Sequence, residues 1–246
     1  MAGGHRTAPR RLIGIDVLRG VAILLMVIFH FFFDLSYFGL ADFDFYHDPF
    51  WLHARTFILS LFLGLVGASL VLATQRGLNA RRFLRRLGLL VASAALVSLA
   101  TWWLFEERFV FFGVLHFIAL ASVLGLGFVR FPWLALLVGV VLILFASRYQ
   151  FSWFDAPGWR WIGLMTHKPA TEDYVPLLPW FGVVLLGIFA GHQFHRPRLR
   201  RALESPDPAR RSVRYLSLAG RHSLPVYLVH QPLLLGLLSV WTALLR

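Results

Sequence analysis

The chain has 246 residues, 58% of them hydrophobic and only 15% charged, with a mean hydropathy of +0.68. That charge content lies well below the roughly 25% of ordinary soluble domains, so a water-soluble globular enzyme is excluded. There is no cysteine, which removes disulfides, thiolate metal sites and cysteine nucleophiles, and the net charge of +12 is carried almost wholly by arginines set between apolar stretches. Such placement points to membrane topology and anionic lipid and away from nucleic acid.

Long uncharged runs predict an all-α, polytopic transmembrane helix bundle of about seven spans. The spans fall near 13–34, 52–73, 87–105, 110–129, 132–147, 175–192 and 222–244. Residues 1–12 read as a basic cytoplasmic tail and 13–246 as a single transmembrane domain. The first span follows Arg6, Arg10 and Arg11; its length makes it a retained anchor and not a cleaved signal. The segments 75–86 and 194–221 read as loops and hold Arg81, Arg82, Arg85, Arg86, Arg198, Arg211 and Arg214, among others. The opposite loops hold Asp42, Asp44, Asp48, Asp155, Glu172 and Asp173. The positive-inside rule then puts the N-terminus in the cytoplasm.

Polar groups at membrane depth cost several kcal/mol unless partnered, so each one needs a reason. In the first span, Asp16 and Arg19 stand at i, i+3 and can pair, either as a structural ion pair or with the arginine set to meet phosphate from the cytoplasm. Farther along, His30 and Asp34 stand at i, i+4 on one face, the spacing of a carboxylate that orients an imidazole base. The second span opens Trp51-Leu52-His53-Ala54-Arg55, just after His47, and its Gly64, Gly67, Ala68 and Ser69 permit a close helix contact. His116 interrupts the apolar fourth span. Pro179-Trp180-Phe181-Gly182 predicts a kink in the sixth. The last span begins Gly220-Arg221-His222-Ser223-Leu224 and carries His230-Gln231-Pro232 at mid-membrane. The loop 148–174 holds Trp153, Trp159 and Trp161, which suit an interfacial belt or a sugar-stacking lid. No internal repeat supports an inverted-repeat transporter.

The order Ile15-Asp16-Val17-Leu18-Arg19-Gly20 to His30, Phe112-Gly113-Val114-Leu115-His116, Pro179-Trp180-Phe181-Gly182, Gly220-Arg221-His222-Ser223-Leu224 and His230-Gln231-Pro232 resembles the heparan-α-glucosaminide N-acetyltransferase-like family, in its bacterial branch, over roughly residues 10–235. The resemblance implies an acyltransferase of the bacterial cytoplasmic membrane. It would take acetyl-CoA as co-substrate, with no metal and no haem, and pass the acetyl group to an outer-face glycan or amino sugar. The family's active-site histidine lies in the loop between the first two spans, where His47 matches best and His53 is a second candidate. The expected catalytic set is His47, His30, Asp34 and His116. Asp16, Arg19, Arg221 and His222 would serve the CoA, and His53, Arg55, Trp180, His230 and Gln231 the acceptor. His116 or Gln231 would meet the thioester oxygen. Two rival readings use the same residues: a proton-coupled transporter, and a b-type haem protein ligated by His30, His116 or His230. A homodimer is admitted and not required.

Overall fold

The computed structural model describes residues 12–244 except 76, 172, 195 and 208. Nearly all of the basic tail 1–12, together with Arg76 and Glu172, therefore lies outside the described residues. Helices stand at all seven expected positions: α1 (Ile13–Tyr37), α2 (Pro49–Thr74), α3 (Ala80–Phe105), α4 (Val114–Gly125), α5 (Pro132–Arg148), α6 (Leu177–Gln193) and α9 (Ser223–Leu244). Among the described residues there is no β-strand. Four of these helices, α1, α2, α3 and α9, are long and apolar enough to cross a membrane, and a fifth is reached only if α6 is counted with the helix after it. Helix α4, with 12 residues, is about 18 Å long and does not cover a hydrocarbon core of about 30 Å by itself. The protein is an all-helical, multi-pass membrane protein.

Two segments expected to be loops are helical. The stretch 194–221 contains α7 (Pro197–Glu204) and α8 (Arg211–Arg221), and α3 begins at Ala80, so that Arg81, Arg82, Arg85 and Arg86 occupy its first two turns. Asn79 starts α3 by accepting the Arg82 N–H at 2.9 Å, an ordinary side-chain cap.

The chain divides into two compact units. The first comprises the segment up to Phe43 and that from Phe194 onward, with α1, α7, α8 and α9; the second runs from Asp44 to Gln193 and holds α2 to α6. In the first unit α1 is central and packs against α7, α8 and α9. Its contact with α8 is backbone on backbone: a Cβ placed on Gly20 would fall 1.9 Å from the Leu216 carbonyl oxygen, and one on Gly220 1.9 Å from that of Asp16. In the second unit α6 lies between α2 and α5. Here the small residues of α2 act as the sequence suggests. A Cβ on Gly67 would meet the Val184 carbonyl at 2.0 Å, and one on Gly187 would meet the Gly64 carbonyl at 2.1 Å. Without a hydrophobic force between helices in lipid, this close van der Waals contact is what holds α2 to α6.

Candidate active site

The first unit brings four of the expected polar residues together on α1 and α9. The rings of His30 and His230 meet edge to face with centroids 4.9 Å apart. One turn along α1, the Asp34 Oδ1 accepts a hydrogen bond of 2.8 Å from Gln231 Nε2. Asp34 is 1% exposed and His230 8%. The i, i+4 spacing does place His30 and Asp34 on one face, but the carboxylate is held by Gln231 on α9, and His30 is oriented by the Met26 carbonyl, 2.9 Å from its Nδ1. His230 Nδ1 likewise lies 2.6 Å from the Tyr227 carbonyl. A carbonyl only accepts, so both Nδ1 atoms carry a proton, and in the neutral form of either ring the basic lone pair would lie on Nε2.

Three buried side-chain atoms of this cluster have no partner among the described residues: Asp34 Oδ2, His230 Nε2 and Gln231 Oε1. All three are acceptors. A buried acceptor left unpaired costs about 1–3 kcal/mol, so each of the three would gain from an N–H or O–H donor. With its amide nitrogen turned to Asp34, Gln231 presents Oε1 as a further acceptor.

Nearer the start of α1 the same unit holds a second cluster. Asp16, 3% exposed, is bridged by two arginines: Arg19 Nη1 lies 3.3 Å from Oδ1 and Arg221 Nε 3.4 Å from Oδ2. The first of these is the expected i, i+3 pair; the second ties the end of α8 to α1. His222 follows as an exposed residue whose Nδ1 lies 3.0 Å from the Leu218 carbonyl.

The remaining expected residues belong to the second unit. His47 is exposed in the turn before α2, with Nδ1 2.9 Å from Asp44 Oδ2. The carboxylate beside His47 is therefore Asp44 and not Asp34. The Tyr46 backbone N–H above all, with that of His47, holds the Asp44 carboxyl below its usual range. His53 and Arg55 are exposed on the first turns of α2, with His53 Nδ1 2.5 Å from the Pro49 carbonyl. Trp180 is half-buried on α6 after the non-helical Leu178, where the expected kink lies.

His116 has a structural task. Its Nδ1 accepts the Gly113 N–H at 3.2 Å and its Nε2 lies 3.2 Å from the Ser98 hydroxyl, which itself donates to the Val110 carbonyl at 2.6 Å. The Val114 N–H is met by Asp173 Oδ2 at 3.1 Å. Together His116 and Asp173 cap the start of α4, with both ring nitrogens of His116 engaged. Among the described residues no group of three or more His, Cys, Asp or Glu is arranged to hold a metal ion.

The family model described as heparan-alpha-glucosaminide N-acetyltransferase, catalytic, matches residues 11–232. The chain belongs to this family. No curated protein and no solved structure was found to match it. The stretch matched to the N-acetyltransferase catalytic family starts just before α1 and ends at Pro232, so it includes both polar clusters of the first unit and the His47–Asp44 pair. The sequence alone does not reveal Asp44, Ser98 and Asp173 as partners. Only Asp44 carries a usable signal, three residues before His47 in a turn-forming stretch.

Proposed function

We propose that the protein transfers the acetyl group of acetyl-CoA to an amine or hydroxyl of an outer-face glycan or amino sugar, and that the α1–α9 cluster binds that acceptor. One observation carries this reading: Asp34 Oδ2, His230 Nε2 and Gln231 Oε1 are buried acceptors without donors. An amino sugar supplies N–H and O–H groups in number, and its ammonium form would be attracted by the Asp34 carboxylate.

In the proposed step, His30 or His230 takes a proton on Nε2 from the attacking nitrogen or oxygen. The new bond forms to the thioester carbonyl carbon, the carbon–sulfur bond breaks, and the imidazolium returns the proton to the departing thiolate. Base catalysis of this kind commonly contributes about 10²–10⁴-fold. Arg19 and Arg221, held by Asp16, would receive the CoA phosphates. Arg19 and His30 are eleven residues apart on α1, roughly 16 Å along the axis, a distance suited to an extended pantetheine arm. A seven-span topology with a cytoplasmic N-terminus, in a cytoplasmic membrane, would let the arginine end face the CoA pool and the histidine end face the acceptor. His47, oriented by Asp44, is the alternative base.

The test is transfer of label from radiolabelled acetyl-CoA to glucosamine by purified protein in detergent, comparing wild type with His30→Ala, His230→Ala and His47→Ala. Loss of at least about 100-fold in His30→Ala or His230→Ala supports the reading. Loss confined to His47→Ala moves the base to the His47–Asp44 pair. No transfer by wild type, with proton-coupled solute flux in proteoliposomes, would replace the enzyme by a transporter.

A further inference from the structure

Helices α7 and α8 form a surface of their own. Both are fixed to the first turns of α1, α8 through Gly20 and Gly220, and α7 at Gly14, where a Cβ would lie 2.8 Å from the Leu203 carbonyl oxygen. With 25 residues α1 is about 37 Å long, roughly 7 Å more than a hydrocarbon core. Its first turns, which carry the ionic Asp16–Arg19–Arg221 cluster, therefore belong at the headgroup level, and α7 and α8 lie there with them.

On α8 the buried Ser217 and Gly220 mark the face toward α1. The opposite stripe consists of Arg211, Arg214, Tyr215 and Leu218, at i, i+3, i+4 and i+7, all exposed. Tyr215 is 66% exposed and Leu218 51%. On α7 Arg198 and Arg201 are also exposed. Between residues 196 and 214 there are seven arginines against two acidic residues, and Glu204 is already bound by Arg200 at 2.9 Å. The outward face is thus strongly basic, with an aromatic and a leucine among the guanidinium groups.

We propose that this face of α7 and α8 is a docking surface for anionic phospholipid headgroups. The charge calls for phosphate, and the exposed Tyr215 and Leu218 beside it call for the acyl boundary, where aromatic and aliphatic side chains settle next to snorkelling arginines. A soluble nucleotide could stack on Tyr215 but would leave the exposed Leu218 in water. The surface is independent of the acyl-transfer reading.

The experiment titrates the full-length protein in detergent micelles with dioctanoyl phosphatidylglycerol, dioctanoyl phosphatidylcholine or acetyl-CoA, counting bound molecules by native mass spectrometry. Phosphatidylglycerol is expected to bind in preference to phosphatidylcholine. The double variant Arg211→Gln/Arg214→Gln should weaken phosphatidylglycerol roughly thirtyfold and leave phosphatidylcholine unchanged. Equal binding of the two lipids, or unaltered phosphatidylglycerol binding in the double variant, overturns the proposal. So does acetyl-CoA that competes for the same arginines. Should the double variant not fold, salt decides: phosphatidylglycerol binding by the wild type must weaken steeply from low to high salt, and salt-independent binding overturns the proposal.

Discussion

Asp34→Asn separates what the buried cluster does for the fold from what it does for the ligand. The asparagine can keep its Oδ1 on Gln231 Nε2, the 2.8 Å contact, while removing a carboxylate that is 1% exposed and has one oxygen unpartnered. Without ligand, removing the buried charge should stabilise the protein by about 1–3 kcal/mol, because a carboxylate costs more to desolvate than the amide that replaces it. For a chain of this size that is a rise of several degrees in Tm. With ligand the sign reverses. A hydrogen bond to a charged group contributes about 1.5–3 kcal/mol, so the acceptor's KM should rise roughly 10- to 150-fold while the KM for acetyl-CoA stays put. The assay is thermal unfolding in detergent beside acetyl transfer at varied acceptor concentration. A variant that is less stable than wild type and has an unchanged acceptor KM would refute the reasoning, because Asp34 would then be a structural residue.

Gly220→Ala should cost about 1–3 kcal/mol, since its Cβ falls 1.9 Å from the Asp16 carbonyl oxygen, whereas Gly236→Ala, with open space around it, should be neutral; thermal unfolding of the two side by side checks this. Asp173→Ala removes the carboxylate from the start of α4 and should lower stability by about 1 kcal/mol in the same assay. Burial pushes the Tyr174 hydroxyl up to about 12, and it donates to the Arg160 carbonyl at 2.6 Å. Its folded value is raised above the ordinary value of about 10, so its stabilisation is complete below that pH and lost as pH rises through about 12. Tyr174→Phe should flatten this alkaline limb in a pH series of unfolding midpoints.

The seven apolar helices were legible because each holds a mostly apolar run, and a close contact of α2 because Gly64, Gly67 and Ala68 leave room for one; that its partner is α6 was not legible. Helix α8 was not legible: its apolar positions alternate with Arg211, Arg214 and Arg221, and its fit to α1 depends on Gly20 meeting a partner 200 residues away. Helical spacing rightly put His30 and Asp34 on one face, yet local spacing says nothing about Gln231, which reaches Asp34 from another helix. For His116 the helix boundary decides the surroundings. A span drawn from 110 makes it an interior histidine, while a helix that begins at Val114 makes it part of the cap. The carboxylate beside His47 went unseen because Asp44 lies in a turn, outside any helical register.

In the proposed reaction the buried acceptors of α1 and α9 hold the acyl acceptor. The most direct test is label transfer from acetyl-CoA to glucosamine by wild type, His230→Ala and Asp34→Asn, with acetyl-CoA binding measured on the same preparations. Wild type is expected to transfer the label, and the two variants to lose transfer or show a raised acceptor KM, with acetyl-CoA binding retained. Wild-type transfer kinetics in both variants would contradict the proposed reaction.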